Sequence, residues 1–334
     1  VKLLVIRFSS IGDIVLTTPV LRAIKHQFPD ATIHYVTKRS FTQVLNNNPT
    51  IDRLIVIDKS IGEVVDDLKK ENYTHLIDLH NNLRTFILKW KLGKPTYSFP
   101  KLNIKKWFFV HLKLNLMPDK HVVQRYFQAV EKLGVVNGNN ACEFYIDAAN
   151  EVSVSDTFNL LPKTFVTIAI GAQFATKRMP LQKLNEIIQQ IEIPIVLIGG
   201  DTDTKLATEI IASNKETKLF YNACGKYNLL QSASIVKQSA VLLTNDTGMM
   251  HIASCFKLPI VSVWGNTHPA FGMYPYLPGN RDLFSMHQVP LKCRPCSKIG
   301  YNQCPKKHFN CMNLQNSTEI VTDLMNKSNV FIEK

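Results

Sequence analysis

No stretch of the chain reaches the roughly 18 uninterrupted apolar residues that a membrane-crossing helix needs, so a transmembrane span is not expected. The opening VKLLVIRF is a strand-length apolar run before a polar turn. It lacks the long apolar core and the small-residue cleavage site of a secretory leader, which makes the cytoplasm the expected compartment. Glycine and proline are sparse, 14 and 16 of 334 residues, and nothing is low-complexity, which excludes fibrous and disordered classes. The seven cysteines are an odd number, and Cys142, Cys224 and Cys255 sit in apolar surroundings that read as reduced core thiols. Acidic residues are in deficit: 39 Lys and Arg against 26 Asp and Glu leave a net charge of +13. Such a surface attracts polyanions: nucleic acid, phosphorylated glycolipid or an anionic membrane face. A nucleic-acid-binding module is the reading the charge and the cysteines raise together. No basic helix of zinc-finger spacing and no aromatic RNA-binding strand accompanies them.

What is present is an ordinary globular composition, 45% apolar and 19% charged, in a chain long enough for two domains of roughly 150 to 170 residues. Short β-branched runs alternate with amphipathic segments. KLLVIRF, a helix over 14–28, TIHYVT, a helix, LIVI, a helix over 61–72 and THLIDL form a first βαβ series. A second runs from FVTIAI through 181–190, IPIVLIGG, 202–213, a short strand near Lys218, 229–238 and AVLLTND to PIVSVWG. The alternation predicts α/β architecture, two doubly wound parallel-sheet domains whose ligand-binding strand ends face a central cleft. The aperiodic 135–160 stretch is the linker candidate, giving domains 1–155 and 156–316 and a C-terminal helix in 317–334 that returns to the first domain.

Four turns carry chemistry. After the first strand, Ser9, Ser10, Ile11, Gly12 and Asp13 put a carboxylate where a Rossmann-type domain opens, either as a helix cap or as a general base toward a bound hydroxyl. In LLTNDTGMMHIASC a strand ends in Asn245 and Asp246, and Thr247 and Gly248 open a helix. Its unpaired N–H groups and positive dipole end suit a phosphate, with His251 one turn in, as a phosphate ligand or as core packing. AIGAQFATKRMP sets Ala172, Gln173, Lys177 and Arg178 after a strand, where two cations neutralise a departing diphosphate or stand as a solvated charge pair. GGDTD offers Asp201 and Asp203 to ribose hydroxyls.

In order and spacing, SSIGDIVLTTPVLRAIK, IDLHNNLRT, HVVQRY, GAQFATKRMP, GGDTD and TNDTGMMHIA resemble the lipopolysaccharide heptosyltransferases, the ADP-heptose-dependent glycosyltransferase family 9. The resemblance covers about Lys2 to Met312 and implies the GT-B fold and a single inverting displacement at the heptose anomeric carbon. It makes Asp13 the base and Lys177 the diphosphate-binding lysine. Donor-binding roles fall on Ala172, Gln173, Arg178, Asp203, Asp246, Thr247, Gly248 and His251. The resemblance also implies that Ser10, Gly12, Arg84 and Arg125 face the acceptor, in such proteins an anionic core saccharide on lipid A. Another nucleotide-sugar donor on the same fold is the alternative. Met179 and Met249 depart from the family's usual Trp and Pro. No cofactor is expected for catalysis, because the cations and the helix terminus already supply positive charge.

Cys293, Cys296, Cys304 and Cys311, with His308 nearby, follow C-x2-C-x7-C-x6-C, close to a structural zinc spacing. Structural zinc and a loop packed by reduced thiols both remain open; some members of the resembled family carry similar clusters. KLNIKKWFFVHLK, 101–113, is basic and apolar, the pattern of peripheral contact with the anionic inner membrane face or of an ordinary amphipathic helix.

Overall fold

The computed structural model describes residues 1–214 and 219–329. They form two compact units, Val1–Leu102 with Lys120–Tyr145, and Asn103–Asp119 with Ile146 onward.

In the first unit, strands β1 (Lys2–Ile6), β2 (Thr32–Lys38), β3 (Arg53–Ile57), β4 (His75–Asp78) and β5 (Thr96–Ser98) form one parallel sheet in the order β3-β2-β1-β4-β5. Helices α1 (Ile11–Val15), α2 (Thr18–Gln27), α3 (Gly62–Lys70) and α4 (Leu83–Leu92) link the strands. The helix expected over 14–28 is broken at Thr17, whose hydroxyl turns back to Ile14 O at 2.7 Å. The helix expected between the second and third strands is a 3-10 segment over Arg39–Val44. Leu4, Ile6, Val36, Ile55, Leu76 and Leu88 anchor the core on one face of this sheet.

The second unit holds β6 (Val166–Ala169), β7 (Ile195–Ile198), β8 (Phe220–Asn222), β9 (Val241–Asn245), β10 (Ile260–Trp264) and β11 (Phe284–Gln288), parallel in the order β11-β10-β9-β6-β7-β8. Strand alternation divides its core. Ile168, Leu197, Leu243 and Val263 go to one face, and Ala169, Val196, Leu242 and Trp264 to the other. Both faces are buried, as βαβ crossovers require. Lys218, near which a strand was expected, lies outside the described residues, and β8 begins at Phe220.

Further helices are α5 (Asn103–Trp107), α6 (Val122–Phe127), α7 (Val154–Phe158), α8 (Leu181–Ile188), α9 (Thr204–Ser213), α10 (Leu229–Gln238), α11 (Gly248–Cys255), α12 (Asn310–Asn313) and α13 (Ser317–Ser328). Segment Asn103–Asp119 groups with the second unit although it falls within the expected first domain. Its Phe109 meets His268 and Phe271 edge-on at 5.1 and 5.4 Å, and Lys113 Nζ donates to Cys293 O and Pro295 O at 3.0 and 2.8 Å. The units divide at Tyr145 rather than near 155. Helix α13, the segment expected to return to the first domain, packs on α8, β9 and β10 of the second unit. Among the described residues no helix is long and apolar enough to cross a membrane.

Candidate active site

Each sheet reverses its strand order once, and the crevice at such a reversal is where doubly wound folds bind ligands. In the first unit the reversal falls between β1 and β4. The chain leaving β1 enters α1 through Ser10, and Asp13 stands in the first turn of that helix beside the buried Gly12. Ser10 donates its hydroxyl to Asp13 Oδ2 at 2.8 Å and its backbone N–H at 3.4 Å, so the capping geometry foreseen for Asp13 is present. It does not use up the carboxylate. Arg7 Nη2 lies 2.5 Å from Asp13 Oδ1. The same guanidinium donates through Nε to Ser9 O at 2.7 Å and through Nη1 to Leu79 O at 2.5 Å, tying the turns after β1 and β4 together. Arg7 is 7% exposed. Burial opposes its charge, but Asp13, with Tyr126 and Tyr35, holds its pKa above the ordinary arginine value.

Helix α6 brings two more side chains to this carboxylate. Its N-terminus is closed reciprocally: His121 Nδ1 accepts from Val123 N at 3.1 Å and Gln124 Oε1 accepts from His121 N at 2.8 Å. So capped, the helix buries both Arg125 and Tyr126. Burial above all pushes the Tyr126 phenol well above its ordinary pKa, which keeps it protonated, and it hydrogen-bonds Asp13. Burial lowers the Arg125 pKa, while Tyr126 and Asp13 oppose that shift. His80, just past β4, is lowered to about 4 by burial first and then by Arg7 and Lys101, so it is neutral at pH 7. Lys101 Nζ donates to His80 O and Asn81 O, both at 3.2 Å. Of the residues expected at the acceptor, Ser10, Gly12 and Arg125 gather with Asp13, whereas Arg84 stands exposed on α4. Arg7, His80, Lys101 and Tyr126 were not foreseen; the one local signal was Arg7 at the end of a strand just before SSIGD.

In the second unit the reversal falls between β6 and β9. Lys177, in a 3-10 turn beyond β6, meets Asp246 at the end of β9: Nζ is 2.6 Å from Oδ2 and 3.2 Å from the backbone carbonyl oxygen. Thr267, beyond β10, donates to the same Oδ2 at 2.9 Å. Thr247 precedes α11 with extended backbone, its hydroxyl 3.2 Å from that of Thr244, and Gly248 is the first helical residue. His251 is buried in α11. Arg178 donates through Nε to Ala172 O at 2.7 Å, while Gln173 is exposed. Lys177, Arg178, Ala172, Asp246, Thr247 and Gly248 are therefore assembled around one switch point.

Asp203, expected to face a ribose, is largely buried. It is 6% exposed, accepts from Gly200 N at 2.9 Å and lies 3.8 Å from Arg178 Nη1. A Cβ on Gly171 would come within 2.1 Å of its Oδ2, and one on Gly199 within 2.8 Å of its Cβ. The glycines after β6 and β7 exist to admit this carboxylate, which braces Arg178 from inside.

The cysteine-bearing loop over 291–311 buttresses this second site. Arg294 donates to Gly265 O, Val289 O and Thr267 O at 2.5, 2.6 and 2.9 Å, and Cys296 N donates to Asn266 O at 3.0 Å. Tyr301 and Thr176 exchange backbone and hydroxyl bonds of 2.8 to 3.1 Å, fixing the residue before Lys177. Cys293 Sγ is 3.9 Å from His308 Nε2. Burial, with Cys293 adding, pushes Cys296 up to about 11, and burial pushes Cys311 up to about 12. Among the described residues, no three His, Cys, Asp or Glu side chains are gathered as a metal site.

The glycosyltransferase family 9 (heptosyltransferase) profile matches residues 61–302. Lipopolysaccharide heptosyltransferase 1 of Campylobacter coli is 25% identical over 80% of this chain and 84% of its own length. Lipopolysaccharide heptosyltransferase 3 of Escherichia coli is 25% identical over 78% of this chain and 81% of its own. A family 9 glycosyl transferase from Veillonella parvula shares the fold with a TM-score of 0.80 at 23% identity, covering 100% of this chain and 98% of the other. ADP-heptose lipopolysaccharide heptosyltransferase II of E. coli does so with a TM-score of 0.71 at 19% identity, covering 98% of each. The fold is that of these solved structures, GT-B, with two doubly wound parallel-sheet units, and the chain belongs to glycosyltransferase family 9, the lipopolysaccharide heptosyltransferases.

Proposed function

We propose that this glycosyltransferase moves heptose from ADP-L-glycero-D-manno-heptose to a hydroxyl of an anionic lipopolysaccharide inner-core saccharide, with inversion and with Asp13 as general base. The observation that carries the reading is the pair of switch-point clusters: one carboxylate ringed by Arg7, Arg125 and Tyr126, and one lysine held at the mouth of α11. Relatives named for ADP-heptose and for ADP complexes support the donor class.

In this mechanism Asp13 Oδ2 takes the acceptor proton as the hydroxyl oxygen forms its bond to the anomeric carbon. The bond from that carbon to the β-phosphate oxygen breaks, and its electron pair leaves with ADP. Lys177, Arg178 and the first N–H groups of α11 neutralise the charge that develops there. Lys177 is oriented beforehand by Asp246, which Thr267 holds in turn. Arg7 pairs with Oδ1 of Asp13 and favours its charged form, and Ser10 holds Oδ2. Arg125 and Lys101 supply positive charge to acidic groups of the acceptor. Asp203 acts through Arg178 and not on the ribose.

No step uses a metal. A zinc ion on Cys293, Cys296, Cys304 and Cys311 would be structural, stiffening the loop that holds Thr176 and Thr267, and would have to deprotonate Cys296 and Cys311, whose thiols burial holds in the neutral form. Elemental analysis of the purified protein tests it: one equivalent of zinc supports the site, and none removes it.

The transfer reading is tested with Asp13→Asn. Transfer is expected to fall about 100-fold or more, with ADP affinity unchanged. An unaltered rate refutes the base. A thermal-shift series of ADP, UDP and GDP separates the proposed donor from other nucleotide sugars, since a ligand at a hundred times its Kd adds about 2.7 kcal/mol of stability.

A further inference from the structure

Helix α4 is apolar on two opposite sides. Thr85, Leu88 and Leu92 face the core. Leu83, Phe86, Ile87 and Trp90, at spacings of three and four residues, form a second stripe. At about 100° per residue that stripe is centred nearly opposite the first. It is open to solvent: Leu83 is 74%, Phe86 62% and Trp90 76% exposed.

The helix is held firmly beneath it. Asn82 Oδ1 accepts from Thr85 N at 3.0 Å, Thr85 Oγ1 accepts from Asn82 N at 2.9 Å, and Gly93 closes the other end with φ +60°. On one flank Lys89 Nζ reaches the buried Asp78 Oδ2 at 2.8 Å. On the other stand Arg84 and Lys91, both exposed. From Leu79 to Leu102, all within the first unit, the sequence has five Lys or Arg and no Asp or Glu.

An aromatic and aliphatic stripe costs solubility unless something covers it, and its surroundings say what that is. The cations Arg84 and Lys91 beside a tryptophan are complementary to an anionic, wet-edged apolar surface, which is the headgroup and acyl boundary of a bilayer. A second copy of the chain would bring like charge against like charge. We propose that the outer face of α4 is a membrane-docking face, with Leu83, Phe86, Ile87 and Trp90 entering the boundary of an anionic phospholipid surface and Arg84 and Lys91 pairing with its phosphates.

This face belongs to a different stretch of sequence from the 101–113 segment singled out by composition, part of which is engaged in packing through Phe109 and Lys113. It goes beyond the transfer reading. Vesicles free of any saccharide-bearing lipid contain no acceptor, so docking and transfer fail or succeed separately.

The test is sedimentation of the full chain with phosphatidylglycerol vesicles and with phosphatidylcholine vesicles, beside the Phe86→Ser/Trp90→Ser double variant. Wild type is expected to partition at least about tenfold more strongly onto the anionic vesicles, weakening with salt. The double variant is expected to lose about tenfold of that partitioning while keeping the wild type's circular-dichroism spectrum and cooperative urea unfolding, which show that the unit carrying α4 is folded. Tryptophan emission should shift to the blue on anionic vesicles in wild type and in Trp107→Phe, but not in Trp90→Phe. Equal partitioning of wild type and double variant, or a blue shift retained in Trp90→Phe, overturns the proposal. So does a concentration-dependent dimer that the double variant abolishes, since a second copy would then be the occupant.

Discussion

Replacing Arg7 by methionine tests the electrostatics of the proposed base directly. The substitution keeps the length of the apolar stem but deletes the ion pair to Asp13 and the bonds to Ser9 O and Leu79 O. Losing one orienting bond to a charged group, roughly 1.5 to 3 kcal/mol, corresponds to a ten- to hundredfold fall in kcat/KM. The pH profile gives the sharper readout. A carboxylate beside an arginine is easier to keep ionised, so without Arg7 the acid limb of kcat/KM should move to higher pH. Part of the loss at neutral pH is then regained under alkaline conditions. Arg7→Lys retains a charge but not the three-way fork, and should lose rate while leaving the limb nearly in place. Stability should fall by roughly 3 kcal/mol in Arg7→Met, at the lower end for a broken buried pair because the Asp13 side chain is 24% exposed and can be rehydrated. Steady-state kinetics from pH 5 to 9 beside urea unfolding separates the two effects. A folded Arg7→Met enzyme with an unmoved acid limb would refute the claim that Arg7 governs the ionisation of the base.

Three further outcomes are expected. Lys177→Met should weaken ADP binding by about 2 kcal/mol, or roughly thirtyfold, in a calorimetric titration, and an unchanged Kd would remove Lys177 from the diphosphate seat. Gly171→Ala should cost about 3 kcal/mol, because its Cβ would sit 2.1 Å from Asp203 Oδ2. Combined with Asp203→Ala the loss should be less than the sum of the single losses, and additive unfolding energies would show that the two positions do not collide. His80 has a folded pKa of about 4 against 6.5 for the free side chain, so the unfolded chain binds its proton first. Stability from this group is complete above pH 6.5 and is lost as pH falls toward 4, by about 3 kcal/mol in total. His80→Gln should flatten unfolding energies over that window, and an unaltered slope would contradict the burial argument.

The alternation of β-branched runs with amphipathic segments was enough to establish two parallel sheets, because a strand buried on both faces needs continuous apolar residues and its crossover needs a helix. The positions of Asp13, Lys177, Asp246 and Gly248 were legible for the same reason: turns at strand ends are where such sheets bind ligands. Strand β11 was not foreseen, since FSMHQ is half polar and lies at the sheet edge. Helix α4 passed unremarked as an element because its apolar residues point both ways, which blurs the helical period. The neighbours of Asp13 come from the end of β1, the turn after β4 and α6, separated by more than a hundred residues of chain, and only folding brings Arg7, His80 and Tyr126 to one carboxylate. Folding also buried Asp203, a residue that reads as a ribose ligand, beneath Gly171 and Gly199. Local pattern thus dictates which strands form and where their ends carry function, since both depend on neighbouring side chains alone. Which charges meet there, and how strongly each is felt, follows from desolvation and distance, and those exist only in the packed molecule.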